Sequence, residues 1–174
     1  MVEGEPEGEA PARPPAPDGA PQSDSVQCAM DLAFRHLARR ERTVAEVRAH
    51  LTAKGVADAE VEAAVVELAH LGYLDDAGYA RRFAEDRRTL DGWGAERIAR
   101  RLRAGGVDPG HVAAALASPA LGDELEAALE LLRRRLPEPP DSDRERQRAL
   151  SLLVRRGYEL ELAHDALRAF ARAG

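Results

Sequence analysis

One cysteine, Cys28, is all that this 174-residue chain contains. An internal disulfide is therefore excluded, which suits a reducing compartment such as the cytosol. Long apolar runs are missing as well. None approaches the roughly 20 residues that a membrane-spanning helix needs. The opening residues Met1, Val2, Glu3, Gly4 and Glu5 are acidic and lead into no apolar stretch, so they do not read as a secretory leader. Nowhere does apolar–polar alternation meet a hairpin turn signal, and no sheet is expected. His36, His50, His70, His111 and His164 lie apart along the chain, with no two at helical ligand spacing. Neither a metal site nor a cofactor is expected from them. No Ser or Cys nucleophile stands beside an oriented base in a recognisable motif. Asp91-Gly92-Trp93-Gly94 is glycine-rich, but no Lys-Ser/Thr step follows it and no strand precedes it, so it is no phosphate loop. Together these absences point away from an enzyme.

What is present reads as helix. Hydrophobic residues make up 44% and charged residues 32%, the composition of a folded, well-solvated chain. Residues 1–24 differ from the rest. They hold Pro6, Pro11, Pro14, Pro15, Pro17 and Pro21 among Glu, Gly and Ala, with no aromatic. Such an acidic, Pro-rich tail cannot bury enough apolar surface to offset its ordering entropy, and disorder is expected. From about Ser25 the apolar spacing becomes helical: Val26, Ala29, Met30, Ala33, Phe34 and Leu37 form one stripe. Thr43 and Glu46 have the spacing of a capping box, and Asp58 stands where it can cap the next helix.

A repeat then emerges. Leu51, Leu102 and Leu153 each stand four residues before Gly55, Gly106 and Gly157, and the interval between successive glycines is 51 residues both times. Val47, Ile98 and Ala149 lie one turn earlier, and Val65, Leu116 and Leu167 lie ten residues past the glycines. An apolar, helix-stop, apolar pattern recurring at a fixed interval marks a repeat architecture. The expectation is an all-α chain of three three-helix repeats at 25–72, 73–119 and 120–174. Their helices fall at about 25–40, 43–54 and 58–71, then 76–91, 94–104 and 108–117, then 122–136, 142–155 and 159–172. Asp76 is placed to cap the fourth helix, Asp108 precedes Pro109 at a helix start, and Ser142 or Asp141 can open the eighth.

Charge is unevenly spread. Residues 1–25 account for −5 of the formal −6. Asp58 to Asp76 contains six acidic residues and no Lys or Arg, whereas Ala77 to Val107 contains eight Arg against four acids. Such segregation fits electrostatic steering toward a partner; solvated helix faces would give it too. The adjacent carboxylates Asp75 and Asp76 could form an acid/base pair, but no third ligand stands near them in sequence, and a helix cap accounts for them. Tyr79, Phe83 and Leu90 share one face of the fourth helix and read as core. Ile98 and Leu102 point inward on the fifth, which leaves Arg97, Arg100, Arg101 and Arg103 on its outer arc. Beside Trp93, that arc is the type of surface that binds carboxylates or phosphates. Arg81 and Arg88 on the fourth helix complete the candidate partner-binding set: Arg81, Arg88, Trp93, Arg97, Arg100 and Arg101.

Leu74-Asp75-Asp76, then Tyr79, Ala80, Phe83 and Arg87, then Gly92-Trp93-Gly94, Ile98, Leu102, Gly106 and Val107 together resemble the RecX family, bacterial regulators of the RecA recombinase. The stretch with Ala29, Leu37, Arg40, Thr43, Glu46, Leu51, Gly55 and Val61 is similar to that family too, as is Leu153, Arg155, Arg156, Gly157 and Tyr158. The resemblance spans about residues 26–172. It implies tandem three-helix repeats in an elongated curved array, and a cytoplasmic, non-catalytic monomer that binds RecA filaments on single-stranded DNA. Direct contact with DNA is compatible with it, and no membrane is involved. It implies inhibition of the recombinase, ATPase and coprotease activities of RecA. Two other readings stand beside it: a helix-turn-helix DNA-binding protein, and a hydrolase using Asp75 and Asp76.

Overall fold

The computed structural model describes residues 21–173, which form helices joined by short turns, with no strand among them. The helices are α1 (Pro21–Leu37), α2 (Val44–Ala53), α3 (Asp58–His70), α4 (Asp76–Asp91), α5 (Ala95–Ala104), α6 (Pro109–Leu116), α7 (Glu124–Arg135), α8 (Asp143–Arg156) and α9 (Leu160–Ala173). A single 3-10 turn at Pro119–Leu121 follows α6. They group as three three-helix units, α1–α3, α4–α6 and α7–α9. The expectation of a disordered tail falls largely on residues 1–20, outside the described residues; Pro21–Asp24 already belong to α1.

Each unit has its own hydrophobic core. Ala29, Ala33, Val47, Leu51, Ala64 and Leu68 build the first. Ala80, Ala84, Ile98, Leu102, Val112 and Ala115 build the second. Ala128, Leu132, Leu153, Tyr158, Ala163 and Ala166 build the third. Leu51, Leu102 and Leu153 are no more than 1% exposed, so the repeated leucine is the centre of each unit. The glycine four residues on explains the register. Gly55, Gly106 and Gly157 have φ of +80, +79 and +89°, a left-handed conformation that glycine adopts without a Cβ penalty. That turn brings the next N–H back to the helix. Val56, Val107 and Tyr158 donate to the carbonyls of Leu51, Leu102 and Leu153 at 3.2, 3.1 and 3.2 Å. The same leucine thus fills the core with its side chain and closes the helix end with its carbonyl.

Three local expectations need correction. Asp58 does not cap α3: Ala57 holds the cap position without a side-chain bond, and Asp58 begins the helix, near its positive end. Asp75, not Asp76, caps α4, accepting from the Gly78 N–H at 2.8 Å. Leu90 is 71% exposed, whereas Tyr79 and Phe83 do pack on the second core.

The units meet through polar contacts that recur. At the first junction Asp76 reaches back to accept from the Val44 N–H, the first of α2, at 2.9 Å. At the second, Glu124 does the same for the Ala95 N–H, the first of α5, at 2.6 Å. Asp75-Asp76 and Asp123-Glu124 are therefore equivalent pairs: the first acid caps its own helix, the second caps a helix of the preceding unit. The far end of each second helix also sits on the start of the one before. Thr43 donates its hydroxyl proton to the Gly105 carbonyl at 2.6 Å. Gly94 and Glu96 donate their N–H groups to the carbonyls of Arg156 and Gly157 at 2.8 and 3.2 Å.

Candidate partner-binding face

Close approach of α5 and α8 creates the surface of interest. A Cβ on Gly94 would overlap the Gly157 carbonyl, and one on Gly157 would overlap Arg97, so both positions require glycine. Across this contact Trp93, Arg97, Arg100, Arg101 and Ala104 from the second unit join Arg155 from the third to line a shallow open cleft. None of these lining residues is acidic. Arg97 lies over the Trp93 ring, its guanidinium carbon 4.2 Å from the centroid, and donates to the Arg155 carbonyl at 2.9 Å. The indole and the bond hold this cation in one place. Arg87 approaches the same ring at 5.7 Å, and Phe83 meets it edge-on at 6.1 Å. Trp93 therefore covers the edge of the second core and also lines the cleft.

Arg100 and Arg101 are exposed and have no carboxylate partner among the described residues. Four guanidinium groups on one concave surface, with nothing anionic opposing them, suit multivalent recognition of carboxylates or phosphates. The first junction differs. Fifty-one residues before Trp93, Arg97 and Arg101 stand Arg42, Glu46 and His50. There Glu46 pairs with Arg40 at 2.9 Å and Arg42 at 4.0 Å, so the arginines have an internal carboxylate partner. Partial burial opposes ionisation of Glu46, but the Arg40 hydrogen bond and charge win and hold its carboxyl below the usual range.

Two residues of the candidate set stand elsewhere. Arg81 is exposed on α4 and does not line the cleft. Arg88 faces the interior: it is 8% exposed, pairs with Glu124 at 3.4 Å and lies 5.8 Å from the Tyr158 ring centroid. It belongs to the second junction, not to a partner surface. Burial pushes the Tyr158 phenol up, against the opposing effect of the Arg88 charge. Two groupings cross distances that spacing along the chain does not reveal. Arg155 joins the cleft from 58 positions beyond Arg97. His36 and His50, far apart along the chain, stack with ring centroids 3.9 Å apart. No group of three or more His, Cys, Asp or Glu able to hold a metal occurs among the described residues.

Asp75 and Asp76 are accounted for by the two caps, so the hydrolase reading loses its only support. In the first two units the helix-turn-helix reading fares no better. α3 exposes Glu62 and Glu67, and α6 carries no Lys or Arg. A recognition helix facing phosphate needs the opposite charge.

Family models match three stretches: the first, second and third three-helix domains of RecX, at residues 29–68, 75–116 and 122–167. The chain belongs to the RecX family. A regulatory protein RecX of Stenotrophomonas maltophilia is 34% identical over 153 residues, covering 87% of this chain and 93% of the relative. One of Mycolicibacterium vanbaalenii is 35% identical over 147 residues, covering 79% of each. The crystal structure of RecX from Lactobacillus salivarius superposes with a TM-score of 0.71 at 19% identity, over 85% of this chain and 97% of that one. At that identity the RecX structure supports the shared fold. No helix among the described residues is long and apolar enough to cross a membrane.

Proposed function

We propose that this chain is a non-catalytic cytoplasmic regulator of DNA repair and recombination that binds RecA filaments on single-stranded DNA and restrains their recombinase, ATPase and coprotease activities. Family membership supports the regulatory role. The observation that carries the choice of surface is the unopposed cationic cleft of Trp93, Arg97, Arg100, Arg101 and Arg155. A filament presents many copies of the same anionic features, either acidic side chains or DNA phosphates. A rigid cationic concavity engages such features with strong salt dependence.

The test is RecA ATPase measured with the R97E/R100E/R101E variant. Exposed substitutions rarely shift stability by more than about 0.5 kcal/mol, so helicity should persist at Arg100 and Arg101; Arg97→Glu also costs the Trp93 stack. Inhibition should weaken markedly, and wild-type affinity should fall as salt rises. Bare single-stranded DNA separates the two anion sources. Phosphate contacts predict parallel losses on DNA and filament; contacts to RecA predict weak DNA binding from the start. Full inhibition by the folded triple variant at matched concentration would rule this face out.

A further inference from the structure

The cleft exists only because two units are held together, and the two do not share a hydrophobic core. What orients them is polar. α5 begins at Gly94, which offers no side-chain cap, so its leading N–H groups have no partner within their own unit. The third unit supplies the partners: the Arg156 carbonyl takes the Gly94 N–H, the Glu124 carboxylate takes the Ala95 N–H, and the Gly157 carbonyl takes the Glu96 N–H. Of these acceptors only Glu124 is a side chain, and so only it can be altered without disturbing a backbone. It is also the charged one, placed at the positive end of α5 and paired with the buried Arg88.

We infer that Glu124 is a positioning residue for the arginine cleft: by capping α5 from the next unit, it holds Arg155 against the Trp93–Arg97 stack. The inference rests on the proposed role of the cleft only for its effect on binding. Its effect on geometry can be read without any partner. Asp76 makes the equivalent bond to Val44 at the first junction, which shows the device to be a rule of the array and not an accident of one contact. Removing the acceptor oxygen leaves the Ala95 N–H and the Arg88 guanidinium short of a partner. Separation of the units would restore both to water.

Trp93 is the only tryptophan, which makes it a built-in reporter. The experiment compares E124A, E124D and E124Q with the wild type by acrylamide quenching of Trp93 fluorescence, with circular dichroism to follow folding. Filament affinity is measured in parallel. E124A removes the acceptor. E124D keeps the charge but shortens the reach. E124Q keeps an acceptor of the right length without the charge. Quenching should rise in E124A and E124D at retained helicity, and stay near wild type in E124Q. Filament affinity should fall about tenfold in E124A, as expected for loss of one charge-assisted bond. Unchanged quenching in both E124A and E124D would overturn the inference, whatever the filament assay gives. Quenching in E124Q as high as in E124A would overturn the capping role, because the acceptor is still present there. Raised quenching with undiminished filament binding would uphold Glu124 as the positioning residue and count against the cleft as the filament site.

Discussion

Single residues in this molecule take their roles from neighbours that are distant in sequence. Asp75 and Asp76 look like a pair and act separately, each accepting from a different helix start. Arg88 has the composition of a surface arginine and a buried position, and a helical wheel cannot foresee the Glu124 and Tyr158 that receive it. The stacked His36 and His50 carry a testable consequence. Burial lowers the His36 pKa below its ordinary 6.5, the charges of His50, Arg42 and Arg40 add to that, and Glu46 opposes them. A histidine with a depressed folded-state pKa contributes stability that is fully present above 6.5. The contribution is lost as pH falls toward the folded value, because the unfolded chain takes up the proton first. Melting temperature should therefore fall as pH drops below about 6.5, and H36Q should flatten that slope. An identical slope in H36Q would show that the stack does not resist protonation.

At the scale of elements, the second helix of each unit ends on a left-handed glycine, and the three glycines meet different surroundings. A Cβ on Gly55 would meet nothing within 4 Å. One on Gly106 would strike the Ala45 side chain, and one on Gly157 would strike Arg97. G55A should thus cost about 1 kcal/mol, the strain of an L-residue in that region. G106A and G157A should cost clearly more in urea titrations, since they also push the units apart. Equal costs at all three positions would show that the junctions tolerate separation. This difference marks how far the sequence is legible. The repeat could be read because leucine and glycine recur at a fixed interval, and a helix end imposes the same needs each time. The caps of α6 and α8 by Asp108 and Ser142 were legible for the same local reason. The junctions were not, because nothing local distinguishes a glycine that needs a left-handed turn from one that also makes room for another unit. The cleft was half legible. Arg97, Arg100 and Arg101 share a helix, but Arg155 arrives from the next unit through a contact that no single helix encodes.

For the whole molecule, three separate cores joined by polar junctions make an array in which each unit leans on its neighbours. Stability then resembles a sum of unit and junction contributions, and position in the array matters. The second unit has two junctions; the first and third have one each. Leu51 and Leu102 are equally buried at the centres of their units, and replacing either by Ala should cost roughly 2–5 kcal/mol locally. The reach of the damage should differ. L51A strips support from one junction, the one made by Asp76 and Thr43. L102A loosens α5, which receives Glu124 and the α8 terminus at one end and bonds Thr43 through the Gly105 carbonyl at the other. Hydrogen exchange resolved by segment should show faster exchange in L51A mainly within residues 44–70. In L102A it should spread from 76–116 into α2 and into the α7 and α8 segments that face the second junction. Faster exchange confined to 76–116 in L102A would mean that the units are stable alone and the junctions merely align them. Spread across both junctions would mean that the cleft, which spans one of them, is as stable as the array and no more.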